Sequence, residues 1–180
     1  MTESGEDLLQ TLLDREAIRE LMYAYCRGID RCDEAALRSV YWPDATHRQG
    51  AYSESGSSFV DYAMKARSNG LRMSHHVSNI SIVLKGKQAA VEGYFQAFQY
   101  DGTPQGGLLE TLLNGRYINR VENRGGEWRI AERTLIYDWI KQTPATDGNE
   151  SQRFGERSPN GRMKPDDAWY KLLGQAPFSS

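Results

Sequence analysis

The sequence has few of the residues that usually mark a metal site, a disulfide framework or a membrane span. Its 180 residues include two cysteines, Cys26 and Cys32, and three histidines. The cysteines lie six positions apart, without a CxxC spacing or a histidine cluster beside them, which favours two reduced thiols. No apolar run reaches the roughly 18 residues that a membrane span needs. Nothing in the sequence indicates a metal or another cofactor, and we expect none.

The chain also lacks an excess of positive charge. Its formal net charge is -2 and 26% of its residues are charged, so there is no electrostatic reason to bind nucleic acid. The acidic start, MTESGEDLL, has neither the basic end nor the apolar stretch of a secretory signal. We therefore expect a cytoplasmic protein with one main domain, which binds neither nucleic acid nor a membrane.

The first part of the chain has the periodicity of helices. Between Leu8 and Ile29 the apolar residues recur at helical spacing, and Gly28 is a natural stop. A short second helix should begin after Asp33, whose side chain can cap free backbone amides. Residues 57–68 favour a third helix with one apolar side.

Beyond residue 73 the chain becomes rich in β-branched and aromatic residues and predicts four long strands. Compact turns are expected at 85–87 and 123–126, with a looser connection at 101–107. This order predicts an α+β fold, a cone-shaped α+β barrel in which N-terminal helices pack in a curved, mostly antiparallel sheet that can hold a pocket. Residues 1–140 would form the domain, and 141–180 a loose tail ending in a short helical turn.

Few residues can carry chemistry, because the sequence has no glycine-rich phosphate loop and no GxSxG or HExxH pattern. If Gly28 lets the chain leave helical geometry, Asp30 can turn back over the face that holds Tyr25. An inward-facing His75 would then share an apolar pocket with this carboxylate. An imidazole that a carboxylate orients is a competent general acid or base, and a nearby phenol can donate to a leaving group.

Simpler interpretations of the acid and the histidines stay open. Asp30 could end the helix and pair with Arg27 or Arg31. His75 and His76 point to opposite faces of a strand, so at most one of them enters the pocket, and a lone strand histidine is often structural.

The other candidates have equally simple interpretations. Tyr25 could be core packing and His47 an exposed loop residue. Arg133 could form an ion pair with Glu92 or Glu110.

Three stretches, EAIRELMYAYCRGIDRCDEAALRSVYWPDA, SHHVSN and GRYINRVENRGGEWRIAER, resemble the SnoaL-like branch of the nuclear-transport-factor-like superfamily. The resemblance spans roughly residues 8–140 and implies an α+β cone with a deep apolar cavity. Its lyase members hold a histidine and an aspartate in that cavity. The aspartate after the first helix corresponds to Asp30, and the histidine four residues before an asparagine corresponds to His75.

The resemblance also implies roles for further residues. The catalytic set would be His75, Asp30 and Tyr25, where Tyr25 lies five positions before Asp30 as in one family member. Substrate-binding positions would be His47, Tyr41, Arg133 and Asn79. The family commonly forms homo-oligomers through the outer face of the sheet, and we expect a trimer.

Together these features predict a cofactor-independent lyase that eliminates water, or a small group such as formaldehyde, from a hydrophobic hydroxylated substrate. A steroid-like or lignin-derived aromatic compound would suit the apolar pocket. Three alternatives stay open: an isomerase or cyclase that uses the same base, a non-catalytic ligand-binding module, and the small subunit of an aromatic-ring dioxygenase.

Overall fold

A curved six-stranded sheet wraps around the N-terminal helices. The computed structural model describes residues 5–67, 72–103, 107–145 and 160–179. In chain order the elements are α1 (Gly5–Asp30), α2 (Glu34–Ser39), β1 (Tyr41–Gln49), β2 (Tyr52–Ser55), α3 (Gly56–Arg67), β3 (Met73–Lys85), β4 (Gln88–Gly102), β5 (Leu108–Arg124), β6 (Glu127–Pro144) and α4 (Ala168–Leu173). The strand order is β2-β1-β6-β5-β4-β3, which confirms the predicted α+β cone.

Helix α1 does not end at Gly28, as the sequence suggested, but continues to Asp30. Gly28 is buried, and a Cβ atom there would lie 3.0 Å from the backbone nitrogen and Cβ of Leu37 in α2. The glycine therefore lets two helices approach closely. The chain turns at Cys32, whose φ is 51°. Asp33 then caps α2, since its Oδ1 accepts a hydrogen bond from the backbone N–H of Ala36 at 3.2 Å, as predicted.

The four predicted long strands are present as β3–β6, but two strands were missed. Strand β1 pairs in parallel with β6 and antiparallel with the short β2. Its sequence, YWPDATHRQ, contains a proline and has no strict alternation of apolar residues, so it lacks the usual strand signal. All other strand pairs are antiparallel.

The C-terminal part of the chain is only partly within the described residues. Strand β6 continues to Pro144, past the predicted boundary at residue 140. Of the predicted loose tail, residues 146–159 lie outside the described ranges, as do residue 68 of the third helix and residues 104–106 of the 101–107 connection. The predicted last helical turn is α4, with Asp167 accepting from the N–H of Trp169 at 3.0 Å.

The core fills the space between the helices and the inner face of the sheet. Side chains from α1, including Ile18, Met22 and Tyr25, pack there against Val91, Tyr117 and other strand residues. No helix in the described ranges is long and apolar enough to cross a membrane.

Candidate active site

Asp30 and His75 form a hydrogen-bonded pair between the end of α1 and the start of β3. The Nδ1 atom of His75 lies 2.7 Å from Oδ1 of Asp30, and the backbone N–H of His75 donates to Oδ2 at 2.8 Å. Each side chain is only 10% exposed. An ionised carboxylate that accepts from Nδ1–H leaves Nε2 as the ring nitrogen that can take a proton. Asp30 therefore orients His75 rather than pairing with Arg27 or Arg31.

The alternation of β3 sends the two neighbouring histidines to opposite faces of the sheet. His75 lies opposite Ala97, which is fully buried, and lines an internal cavity. His76 lies opposite Gln96, is exposed, and has its Nε2 atom 3.2 Å from Oγ of Ser74. The structure thus brings His75, and not His76, together with Asp30.

The cavity beside His75 has a volume of about 290 Å³ and a wall in which aromatic and aliphatic side chains stand beside polar groups. Its aromatic lining consists of Tyr25, Phe59, Tyr62, Phe95, Tyr100, Tyr117 and Tyr137. Phe95 and Tyr117 stack with ring centroids 4.6 Å apart, and Tyr25 meets Tyr117 edge to face at 5.4 Å. Such walls suit flat apolar ligands, and the volume lies near the lower end of small-molecule pockets, about 300 Å³.

A wider cleft of about 1140 Å³ adjoins this cavity, and Met73, Gln99 and Tyr100 line both. Asp30 lies on the cleft side, so the acid–imidazole pair stands where the two spaces meet. Residues 160–164 of the C-terminal segment form another wall of the cleft.

The C-terminal segment is held against the end of α1 by polar contacts. Nζ of Lys164 donates to Oδ1 of Asp33 at 2.9 Å, and the backbone N–H of Lys164 donates to the carbonyl of Arg31 at the same distance. Sγ of Cys32 lies 3.0 Å from Sδ of Met163. These contacts are within one chain.

Arg133 lies behind the cavity wall rather than in it. The guanidinium carbon stands 3.6 Å from the ring centroid of Tyr25 and 4.6 Å from that of Tyr117. Its Nε donates to Oδ1 of Asn119 at 2.7 Å, and the side chain is 1% exposed. The alternative ion pairs are not formed, because Glu92 accepts from Arg116 and Arg133 is sealed in the core.

This cation lies directly behind Tyr25, which is 1% exposed and lines the cavity. Burial raises the pKa of the Tyr25 phenol well above its usual value, and Tyr41 raises it further, while the Arg133 guanidinium lowers it. Tyr25 therefore stays protonated at neutral pH and serves as a hydrogen-bond donor.

Tyr41 and His47 begin a chain of hydrogen bonds that ends at the cavity. The Tyr41 hydroxyl lies 2.9 Å from Nδ1 of His47, and Nε2 of His47 lies 3.3 Å from Oε1 of Gln49. Nε2 of Gln49 donates to the hydroxyl of Tyr137 at 2.7 Å. This chain is satisfied when the imidazole proton is on Nε2, facing the Gln49 oxygen, and Tyr41 donates to Nδ1.

His47 is not the exposed loop residue that one interpretation allowed. It is 1% exposed and stacks on Phe59, with ring centroids 3.6 Å apart. Burial, with the nearby positive Arg133, lowers the pKa of His47 to about 3, so the ring is neutral. Tyr41 and His47 lie one layer behind the wall, and the cavity-facing members of this chain are Gln49 and Tyr137.

The structure does not bring Asn79 to the cavity. This residue is exposed and has a φ of 49°, at the irregularity in the β3–β4 register between Ser78 and Ser81. Asparagine tolerates the left-handed conformation better than most residues. Its position is therefore explained by the bulge, and a contact between Asn79 and substrate stays a prediction.

The polar residues of the cavity wall that the sequence did not indicate include Gln49, Tyr137 and Arg67. Tyr137 continues the inward alternation of β6, and this alternation could have indicated it. The register of β5 and β6 shifts directly beside it, between the Gly115–Tyr137 and Asn114–Trp139 pairs. Gln49 depends on the unpredicted β1. Arg67 is the last residue of α3 and is 7% exposed, and no pattern in the sequence indicates that this cation is buried.

The described residues contain no group of three or more His, Cys, Asp or Glu side chains that could hold a metal ion. The geometry defines an α+β cone protein with a carboxylate–imidazole pair in the wall of an aromatic cavity. The SnoaL-like domain profile matches residues 10–134, and the chain belongs to this family. No functionally curated protein sequence is significantly similar to it.

Solved structures share the fold at low sequence identity. A candidate scytalone dehydratase from Novosphingobium aromaticivorans is 20% identical, with a TM-score of 0.63, covering 76% of this chain and 91% of the other. A type 3 hexachlorocyclohexane dehydrochlorinase from Novosphingobium barchaimii is 18% identical, with a TM-score of 0.65 and coverages of 77% and 95%. The beta subunit of a candidate aromatic-ring-hydroxylating dioxygenase from Novosphingobium aromaticivorans is 19% identical, with a TM-score of 0.57 and coverages of 73% and 93%.

Proposed function

We propose that the protein is a cofactor-independent lyase that eliminates water, or a comparable small group, from a hydrophobic hydroxylated aromatic or steroid-like substrate. The observation that carries this proposal is the Asp30–His75 pair, in which both carboxylate oxygens accept N–H groups of the histidine beside an aromatic cavity. The lyases among proteins of similar fold, a candidate dehydratase and a dehydrochlorinase, are consistent with this chemistry.

In the proposed reaction, Nε2 of His75 takes a proton from a substrate carbon. The electrons of that C–H bond form a C=C bond, the neighbouring C–O bond breaks, and the departing hydroxyl takes the same proton back from Nε2 of His75 to leave as water. Asp30 stabilises the imidazolium that forms transiently, and Tyr25 donates a hydrogen bond to the leaving oxygen. Tyr137, which Gln49 holds through its hydroxyl oxygen, can donate its own proton to a second polar group of the substrate.

The volume of the inner cavity favours small aromatic substrates over steroids for the part of the molecule that reacts. About 290 Å³ accommodates one ring system with its side chain, and the remainder of a larger substrate would lie in the adjoining cleft. Lignin-derived aryl alcohols are therefore the first compounds to test, followed by hydroxysteroids.

Mass spectrometry of the purified protein, incubated with both compound classes, tests the proposal. Loss of one water from a panel member in the wild type, absent with His75→Ala and retained with His76→Ala, is the expected result. Loss of formaldehyde would keep the lyase and change the bond that breaks, whereas an unchanged mass with an altered retention time would indicate an isomerase. Unchanged compounds that stay bound to both wild type and His75→Ala would contradict the enzyme proposal and favour a binding module.

We further propose that residues 160–179 cover the entrance of the pocket, because residues 160–164 line the cleft beside Asp30. A chain truncated before residue 160 should bind substrate more weakly while its fold is retained. Unchanged activity and affinity after truncation would show that this segment has no role at the site. In the alternative, this segment packs against a neighbouring subunit. A change in oligomer mass on truncation would identify that case.

A further inference from the structure

Arg67 is a buried cation in the wall of the same cavity. It is the last residue of α3, is 7% exposed, and contributes to the lining together with Asp101 and His75. Its Nε and Nη2 atoms are buried, and neither has a hydrogen-bond partner within the described residues. Buried guanidinium groups are normally paired, because leaving such donors unsatisfied is costly.

The two unsatisfied nitrogens lie on one edge of the guanidinium. Their N–H bonds point in the same direction, which is the arrangement that a carboxylate accepts with two parallel hydrogen bonds. A single hydroxyl or carbonyl oxygen would satisfy this edge less well. A carboxylate therefore fits this edge in shape and charge.

The carboxylates nearest to Arg67 are engaged elsewhere. Both oxygens of Asp30 accept from His75. Oδ1 of Asp101 accepts from Nε2 of Gln99 at 2.7 Å, and Oδ2 accepts from the hydroxyl of Thr111. Within the described parts of the chain, neither aspartate lies within ion-pair distance of Arg67.

The helix end gives Arg67 some electrostatic stabilisation but no acceptor. A cation in the last turn of a helix is favoured by the helix dipole. Burial lowers the pKa of Arg67, while Cys32, Asp30 and Asp101 act to raise it. Arginine keeps its proton at neutral pH in proteins, so a positive charge remains in the wall and attracts an anion.

We propose that the substrate carries a carboxylate, which Arg67 binds through Nε and Nη2 while the Asp30–His75 pair acts on another part of the same molecule. The inference rests on the proposed lyase function and narrows its substrate to carboxylic acids with an apolar aromatic or steroid body. Because both nitrogens are covered by protein atoms, this proposal requires the Arg67 side chain to rotate so that its Nε and Nη2 edge meets the ligand. Asp101 also lines the cavity. Because its carboxylate repels anions, a substrate with one anionic end is favoured over a substrate with two.

Calorimetric titration of the full chain tests this directly, with matched pairs of probes. Each pair consists of an aryl propenoic acid or a steroid carboxylic acid and its methyl ester, so that only the charge at one end differs. The wild type and His75→Ala should both bind the acid about 10- to 100-fold more tightly than the ester, as expected for two charge-assisted hydrogen bonds. Arg67→Gln should abolish that preference, and Arg67→Lys should retain only part of it.

A control variant separates this site from general electrostatic attraction. Arg48→Gln removes an equal charge from an exposed position on β1 and should keep the preference for acids. Equal affinities for acid and ester in the wild type, no binding of any acid, or an acid preference that survives Arg67→Gln would each overturn the proposal.

Thermal unfolding supplies a second test, which uses a different variant and does not depend on ligand binding. Arg67→Met should raise Tm in the absence of ligand, because it replaces an unpaired buried charge by an apolar side chain of similar length. A lower Tm would mean that Arg67 has a structural partner, and would contradict the inference. Acid binding that depends on Arg67 without any turnover would leave this proposal standing and remove the lyase function, so the two can fail separately.

Discussion

Asp30 contacts His75 twice, through the ring at 2.7 Å and through the backbone N–H at 2.8 Å. The second bond ties the carboxylate to the strand itself, so the orientation of the imidazole relative to β3 is determined by one residue at the end of α1. A carboxylate that bonded only the ring could move with it. This double contact makes the acid–imidazole pair rigid before substrate arrives.

Asp30→Asn should lower turnover by about 100-fold or more with little change in substrate affinity. The amide oxygen can still accept one of the two N–H groups of His75. The NH2 group then faces the other N–H, and the neutral amide cannot stabilise an imidazolium. Steady-state kinetics on whichever compound the wild type converts would measure this. His76→Ala, a change at the exposed neighbour, serves as the control, and full turnover by Asp30→Asn would argue against the pair.

His47 should make stability fall on acidification. Its pKa in the folded protein is lowered to about 3, below the unperturbed 6.5, so the unfolded chain binds the proton more readily. The stabilisation that His47 provides is present above about pH 6.5 and is lost as the pH falls toward 3, at about 1.4 kcal/mol per pH unit. Urea unfolding between pH 7.5 and 4.5 measures this dependence.

The comparison for that experiment is His47→Gln, which removes the titrating group. The variant is expected to be less stable at pH 7.5, and the difference from wild type should shrink as the pH falls. A constant difference across the range would show that His47 does not contribute through its protonation.

Gly115 should tolerate no side chain. A Cβ atom there would lie 1.9 Å from the carbonyl oxygen of Ile136 and 2.8 Å from Cε1 of Phe95, where the β5–β6 register is irregular. Gly115→Ala should therefore destabilise the protein by about 1–3 kcal/mol or more, because backbone must shift in the wall of the pocket. Gly102→Ala, where a Cβ meets nothing within 4 Å, should have almost no effect in the same urea unfolding experiment.

The outer face of the sheet is expected to mediate the predicted trimer. Tyr94, Phe98 and Trp139 are 44%, 49% and 49% exposed, and they point away from the inward-facing Phe95 and Ala97. Light scattering should give the mass of three 20.4 kDa chains for the wild type and a smaller mass for Tyr94→Glu. Leu9→Glu changes an equally exposed apolar residue on α1, and dissociation by this variant alone would place the interface on the helix instead.

Local features of the fold followed from the sequence because each depends on neighbours in the chain. The apolar spacing of Ile18, Met22 and Tyr25 defined the buried face of α1, and Asp33 capped α2 as its position indicated. The candidate pair of Asp30 and His75 could also be predicted, since one lies at the end of a helix and the other near the start of a strand. Gly28 was misread, because its role lies in contact with Leu37 of another helix.

The rest required the tertiary structure, because it depends on pairing between distant segments. The parallel pairing of β1 with β6 buried His47 and brought Gln49 to Tyr137, across 88 residues of sequence. Register also chose between His75 and His76, since a shift of one residue exchanges the two faces of a strand. The sequence by itself determined which segments are helices and long strands and which residues could act as acid or base. Only the three-dimensional packing decided which side chains share the cavity, and left Nε and Nη2 of the buried Arg67 without a hydrogen-bond partner in the described chain.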